Sequence, residues 1–449
     1  MSKARNMARM GQDTSAGYTG AFDMPAGTTA ERPASAGLGW TRLNTDTGSV
    51  EVYDGTNWNA VTRPFISSAT GTIYAGLASN LVIAGQNFTS TITVRFIEGG
   101  STVADVAGVT VTSGSATVAV PAAVYGQTAG DSIEVKIINS DGTISANGIT
   151  KTVQSLPTGG TITTSGGYRI HTFTSSSSFV VPSGLTLSNV EYLVIAGGAG
   201  GGSRYYGAGG GAGGYRCSVV GETSGGGASA ESRLTLSANT YTVTVGGGGA
   251  GGVSTARGAN GNDSVFGSIT STGGGGGGYD GVRDGIAGGS GGGAGKLTGG
   301  TGNQGASGSG VAGQGYAGGG NNGATIANGS GGGGAGSVGR DGTTGSPYGT
   351  GGNGVASSIT GSSVTRAGGG AGALDVNNTP SGVVVTGGTG GGGNSAGYTG
   401  GTWGSNPVAA IAGSTNTGSG GGAGIHDTGT ITTNGAGGGS GIVIVRYAL

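Results

Sequence analysis

Of the 115 glycines in this 449-residue chain, 91 lie between residues 193 and 449. A segment in which roughly every third residue lacks a side chain can fill neither an ordinary helix bundle nor an ordinary sheet core. Prolines number only 9, so the collagen balance of glycine with abundant proline is absent as well. The glycines come in clusters: Gly273 to Gly278, Gly291-Gly292-Gly293-Ala294-Gly295, Gly331 to Gly336, Gly368 to Gly372, Gly391 to Gly393, Gly420 to Gly424 and Gly435 to Gly439. Such runs in isolation read as flexible linkers. Three features argue for order instead: the repeated glycine-alanine pattern, single apolar or aromatic residues between runs, and a closing apolar run that needs partners upstream. The ordered alternative is a packed array of extended polyglycine helices with three residues per turn, whose bare backbones approach closely and hydrogen-bond to one another.

Strand-like runs frame the glycines at Val190–Ile195, Ser232–Leu236, Tyr241–Val245 and Ile442–Tyr447. The first and last are continuously apolar, as strands buried on both faces would be, so the terminal run is expected in the core.

The first part of the chain is patterned differently. Residues 1–30 show no sustained apolar periodicity and are expected to be extended or disordered. Gly39–Asn44 and Ser49–Tyr53 read as short strands joined by a turn at Thr45–Gly48, and Asp54–Trp58 as a second turn. From Phe65 to Val153 the signal is alternation, at Leu81–Ile83, Thr91–Phe96, Ala116–Val120 and Ser132–Ile137, which predicts an all-β sandwich. The expected fold class is all-β and multi-domain: residues 1–62 as an N-terminal segment with a small hairpin module, 63–154 as a β-sandwich, and 155–449 as a linker and glycine-rich domain of β-strands with polyglycine helices.

Composition narrows function. Charged residues make up 9 % and the net charge is -1, so there is no basic surface for phosphates and no nucleic-acid role is expected. Neither a signal-peptide core nor a membrane-spanning apolar stretch is legible, which predicts cytoplasmic synthesis without export by that route and no membrane insertion. Cys217 is the only cysteine, and His171 and His426 are the only histidines; no zinc spacing surrounds them, and a serine triad lacks a convincing base. Gly258–Val265 approximates one calcium-binding nonapeptide, but a single copy cannot stack, and it reads as a turn. Chance Gly-x-Gly-x-x-Gly matches lack a βαβ unit. No enzyme activity, metal or cofactor is expected.

Resemblances sharpen this reading. Glu31-Arg32-Pro33, Leu43–Gly48 and Tyr53–Trp58 resemble a short module recurrent in phage tail-fibre and other virion proteins. Leu81 to Phe88, Val94, Phe96, Val135, Asn139, Asp141-Gly142 and Ser145 resemble the immunoglobulin-like IPT/TIG family, which implies a spacer or binding module. Tyr192–Gly198, Gly213–Tyr215, Tyr241–Gly246, Asp263–Gly267 and Gly441–Tyr447 closely resemble the glycine-rich domain at the ends of phage tail fibres and adhesins. The resemblance implies a virion protein whose apical loops contact a bacterial surface receptor, glycan or outer-membrane protein. It also implies attachment to other tail or baseplate proteins through the N-terminus, and a homo-oligomer, with a trimer favoured. The receptor-binding candidates are bulky or charged residues between glycine runs: Arg204, Tyr205, Tyr206, Tyr279, Asp280, Arg283, Tyr316, Tyr348, Tyr398 and Trp403. Aromatic rings give large contact area at low entropy cost. A tyrosine in such a place also reads as a plug at the end of the array or a subunit contact. A purely structural appendage of head or tail is the alternative function.

Overall fold

The computed structural model describes residues 24–46, 49–53, 55–60, 63–296, 305–320, 328–343, 348–374, 383–398, 407–425 and 433–449. They form two units, Met1–Ser155 and Leu156–Leu449, and the secondary structure is almost entirely β.

In the first unit, β1 (Ala26–Gly27), β2 (Thr41–Asn44), β3 (Ser49–Tyr53) and β4 (Trp58–Ala60) make a four-stranded sheet in that order, with β1–β2 parallel and the other pairs antiparallel. Its interior is polar. Buried Glu51 accepts hydrogen bonds from Arg32 (2.5 Å) and Asn44 (2.7 Å), and Arg42 Nη2 reaches Thr28 O at 2.9 Å. The Arg32 contact, then Asn44, holds the Glu51 carboxyl below its usual range. A module this small lacks apolar area, and charge-assisted hydrogen bonds supply the order instead.

Seven strands follow: β5 (Phe65–Thr70), β6 (Asn80–Gln86), β7 (Thr91–Glu98), β8 (Ser101–Thr110), β9 (Ser115–Ala119), β10 (Ser132–Asn139) and β11 (Ile149–Thr152). They form a sandwich of two sheets, β5-β6-β9 and β11-β10-β7-β8. Alternation places Leu81, Ile83, Ile92, Val94, Phe96, Val118, Ile133, Val135 and Ile137 in one core, each side chain worth about 1.5–3 kcal/mol in transfer terms. Asn139 ties the β6–β7 loop down: its Oδ1 accepts from Thr89 N (3.1 Å) and its Nδ2 donates to Asn87 O (2.8 Å).

The second unit opens with β12 (Thr161–Ser165), β13 (Tyr168–Phe173), β14 (Ser177–Ile195), β15 (Tyr215–Cys217), β16 (Leu234–Thr244), β17 (Ser264–Phe266) and β18 (Ile269–Ser271). Short pairs β19 (Val355–Ser357) with β20 (Val364–Arg366) and β21 (Gly397–Tyr398) with β22 (Pro407–Val408) precede β23 (Ile442–Ala448). The main sheet runs β12-β13-β23-β14-β16-β17-β18, so the last strand lies between β13 and β14, as its apolar run predicts. Both faces are covered. Val443, Val445 and Tyr447 pack with Phe173, Phe179, Tyr192 and Phe266 on one side. On the other, Ile442 and Ile444 meet Ile170, Leu193, Ile195 and Tyr215 together with Ala212, Ala335 and Ala367 from the glycine runs.

From that second face the glycine runs travel away and back. The run 196–203 shows their rule. Ala196, Ala199 and Gly202 donate to Gly214, Gly211 and Ala208; Gly197, Gly200 and Ser203 donate to Asn262, Ala259 and Ala256; Gly198 and Gly201 donate to Gly439 and Ala436. Each neighbour is addressed every third residue, the signature of a three-fold extended helix. The carbonyls of the same run accept from three more runs, through Gly249 and Gly252, Gly274 and Gly277, and Gly421 and Gly424. Six neighbours surround one run, as in hexagonal packing.

Glycine is obligatory in such contacts: a Cβ on Gly198 would stand 2.1 Å from Ser419 O, and one on Gly332 2.1 Å from Gly210 O. Each backbone hydrogen bond contributes about 0.5–1.5 kcal/mol net, while ordering a residue costs about 1–2 kcal/mol. The lattice alone roughly breaks even. The apolar sheet at its foot supplies the margin.

Candidate functional site

Because the runs alternate in direction, one end of the array meets the sheet and the other stands away from it. A common level at the far end is marked by the bonds Gly202 N to Ala208 O, Ala208 N to Gly278 O, Gly424 N to Gly202 O, Ala373 N to Gly207 O, Gly329 N to Ala373 O and Ala396 N to Ala423 O, all 2.8–2.9 Å. Loops 204–206, 253–256 and 279–284 project beyond this level. The described residues flanking segments 297–304, 321–327, 344–347, 375–382, 399–406 and 426–432 also stand toward this end.

The first loop is a tight turn closed by Gly207 N to Arg204 O (2.9 Å), with Arg204 and Tyr206 both left-handed, at φ 58° and 54°. Bulky residues rarely take this conformation. The Arg204 guanidinium lies over the Tyr205 ring at 5.4 Å, and Lys296 Nζ lies over the Tyr206 ring at 4.5 Å.

Four segments close a circuit here. Ser203 Oγ donates toward Ser254 O (2.9 Å) and Ala256 O (3.0 Å), joining the first loop to the second. The Arg257 guanidinium donates to Asp284 O, joining the second to the third. Gly295 N donates to Arg283 O at 2.7 Å, joining the third to the run that ends at Lys296. Lys296, over Tyr206, returns to the first. Tyr279 is fixed by its N–H to Val282 O (3.0 Å), and the Asp284 Oδ1 accepts from Ala306 N (2.8 Å).

Six of the ten residues singled out from sequence therefore meet in one region: Arg204, Tyr205, Tyr206, Tyr279, Asp280 and Arg283. Tyr206 is 8 % exposed and serves as the floor under Lys296 rather than as a projecting ring. Tyr348, at φ 44°, leans on the small cluster of Ala371, Leu374 and Val385. Tyr316 stands at the opposite, sheet-proximal end, where a Cβ on Gly227 would lie 2.6 Å from its hydroxyl. Tyr398 pairs with Pro407 in β21–β22; its side chain, and Trp403 with His426, lie outside the described residues. Arg257 and Lys296 were not singled out from sequence, although each is a lone charge in a glycine background, the criterion that found Arg283.

The remaining polar chemistry is internal. Burial pushes the Cys217 thiol up to about 12, with Glu222 Oε2 3.5 Å away. His171 is fully buried between Phe179 and Tyr447, and its Nδ1–H donates to Gly159 O at 2.8 Å. Among the described residues no group of three or more His, Cys, Asp or Glu is placed to hold a metal ion.

An antiparallel sheet carrying a hydrogen-bonded lattice of polyglycine helices defines a glycine-rich structural domain with loops at its free end. The chain matches the model of the glycine-rich domain family over residues 171–448, more than half of its length, and belongs to that family. No curated protein matches it.

Proposed function

We propose that this chain is a non-enzymatic phage virion protein, a tail fibre or receptor-binding adhesin, that attaches the particle to a bacterial surface through the free end of its glycine-rich domain. The observation that carries the reading is the asymmetry of the array. Its sheet-proximal end is packed into an apolar core, while the far end gathers Arg204, Tyr205, Tyr206, Tyr279, Asp280 and Arg283 on a backbone lattice. A rigid scaffold that presents variable side chains at loop tips suits recognition, because little entropy is lost on binding. The sandwich at residues 63–154, read as an IPT/TIG-type module, would space the ends, and residues 1–62 would dock onto tail or baseplate proteins in a homotrimeric fibre.

The test is adsorption of the labelled full chain to a panel of bacteria, with Tyr205→Ala and Tyr279→Ala alongside. Saturable binding lost in the variants supports the adhesin. A chain that binds none of the bacteria its parent particle infects points to the structural appendage, which the rigid lattice itself favours as second reading.

A further inference from the structure

From the charge and geometry of the far end we infer that the Arg204–Tyr205–Tyr206–Lys296 platform is a binding subsite for an acidic saccharide, a sugar bearing carboxylate or phosphate. The inference rests on the attachment reading and names the chemistry of its ligand.

Four cations, Arg204, Arg257, Arg283 and Lys296, fall on the closed circuit of segments, against two carboxylates, Asp280 and Asp284. One of those carboxylates is already engaged, since Asp284 Oδ1 accepts from Ala306 N. The chain as a whole carries a net charge of -1, so the larger number of cations than carboxylates among the described residues of the circuit is a departure from its composition. Two of the cations are parked on aromatic faces, which holds them in place before any ligand arrives. The Arg204 Nε–H is buried without an acceptor among the described residues, and so is that of Arg257. Guanidinium donors of this kind match the paired oxygens of carboxylate and phosphate.

The backbone gives an independent argument. In a chain with 115 glycines, the turn at 204–206 uses arginine and tyrosine at two left-handed positions where glycine would fit without strain. Conformational strain of this kind is retained where the side chains serve a purpose other than the turn. Around the cations, Tyr205 offers an apolar ring against which a sugar face can stack.

The experiment measures binding of the full chain to immobilised polygalacturonate, to bacterial lipopolysaccharide and to neutral dextran, with Arg204→Gly, Lys296→Gln and the remote control Lys151→Gln. Saturable binding to an acidic polymer and none to dextran is expected, weakened by salt. Arg204→Gly and Lys296→Gln should each weaken it at least about tenfold, and Lys151→Gln should leave it unchanged. Preference for polygalacturonate assigns a carboxylate, and preference for lipopolysaccharide that is lost when its phosphates are removed assigns a phosphate. Because glycine relieves the left-handed strain, Arg204→Gly should keep or raise Tm while losing ligand. Equal binding to dextran, or full binding by Arg204→Gly, overturns the inference. Whole-cell adsorption that persists in both variants and in excess soluble polygalacturonate also overturns it while leaving the attachment reading intact; absence of adsorption to any bacterium counts against attachment itself.

Discussion

Arg446, on the last strand, donates to Glu191 across 255 positions of sequence, Nε to Oε2 at 2.7 Å, and the two are direct cross-strand partners of β23 and β14. Glu191 is buried and Arg446 largely so, Arg446 also lies over the Tyr168 ring at 4.5 Å, and Glu191 Oε1 accepts from Val220 N at 3.2 Å. Removing one member strands a buried charge. Glu191→Ala is expected to cost about 3–5 kcal/mol in chemical denaturation, and Glu191→Leu combined with Arg446→Leu to recover most of it. An equal loss in the single and double variants would mean that the pair is not the cause.

Arg366 predicts the opposite sign. It is 8 % exposed, its Nη1 has no hydrogen-bond partner among the described residues, and burial lowers its pKa. The nearby Tyr215 hydroxyl is fully buried and also without a hydrogen bond among the described residues. Replacing a buried charge that lacks a full set of acceptors with an apolar group of similar length removes a desolvation cost, so Arg366→Met should raise the unfolding free energy by about 1–3 kcal/mol, read as a higher denaturation midpoint. A lower midpoint would show that the guanidinium has an acceptor in solution.

The lattice makes a contrast between glycines. Gly198→Ala places a methyl 2.1 Å from Ser419 O and should cost about 3 kcal/mol or more. Gly437→Ala meets nothing nearer than Gly249 O at 3.3 Å and has no left-handed φ, so its cost should stay within about 0.5 kcal/mol. Equal stability of the two variants, by thermal unfolding, would argue against close backbone packing.

His171 sets a pH dependence. Desolvation lowers its pKa from 6.5 to about 4, while the unfolded chain protonates near 6.5. Between pH 4 and 6.5 the unfolded state binds more protons, so stability rises with pH through that window and is fully present above it. The full effect is roughly 3 kcal/mol. His171→Phe should flatten this part of the profile; an unchanged slope would assign it to other groups.

The frame of the glycine-rich unit was legible because its strands carry apolar runs long enough to be buried twice over, as at Val443-Ile444-Val445. β8 carries a weaker signal: Ala104, Ala107 and Gly108 blur the alternation of an edge strand with little to bury. β14 begins well before the run Val190–Ile195 and passes through Pro182 and Gly184 by shifting register between Val181 and Thr186. The hardest question for sequence was the end at which each aromatic falls. Tyr279 and Tyr316 have the same glycine surroundings, and only the number of crossings between them separates the free end from the sheet end. Runs of near-identical composition give no mark from which to count.

The three-residue repeat of run 196–203 also fixes what changes of length the domain can absorb. Each successive residue turns its amide toward a different neighbour. Inserting one residue within a run rotates everything beyond it by a third of a turn, exchanging all downstream partners at once, whereas inserting three restores every pairing one step along. Between runs no such reading frame applies. Lengthening by multiples of three is therefore open to the shafts, and by any number to their tips, so the domain can grow taller only in quantised steps while its crown varies freely.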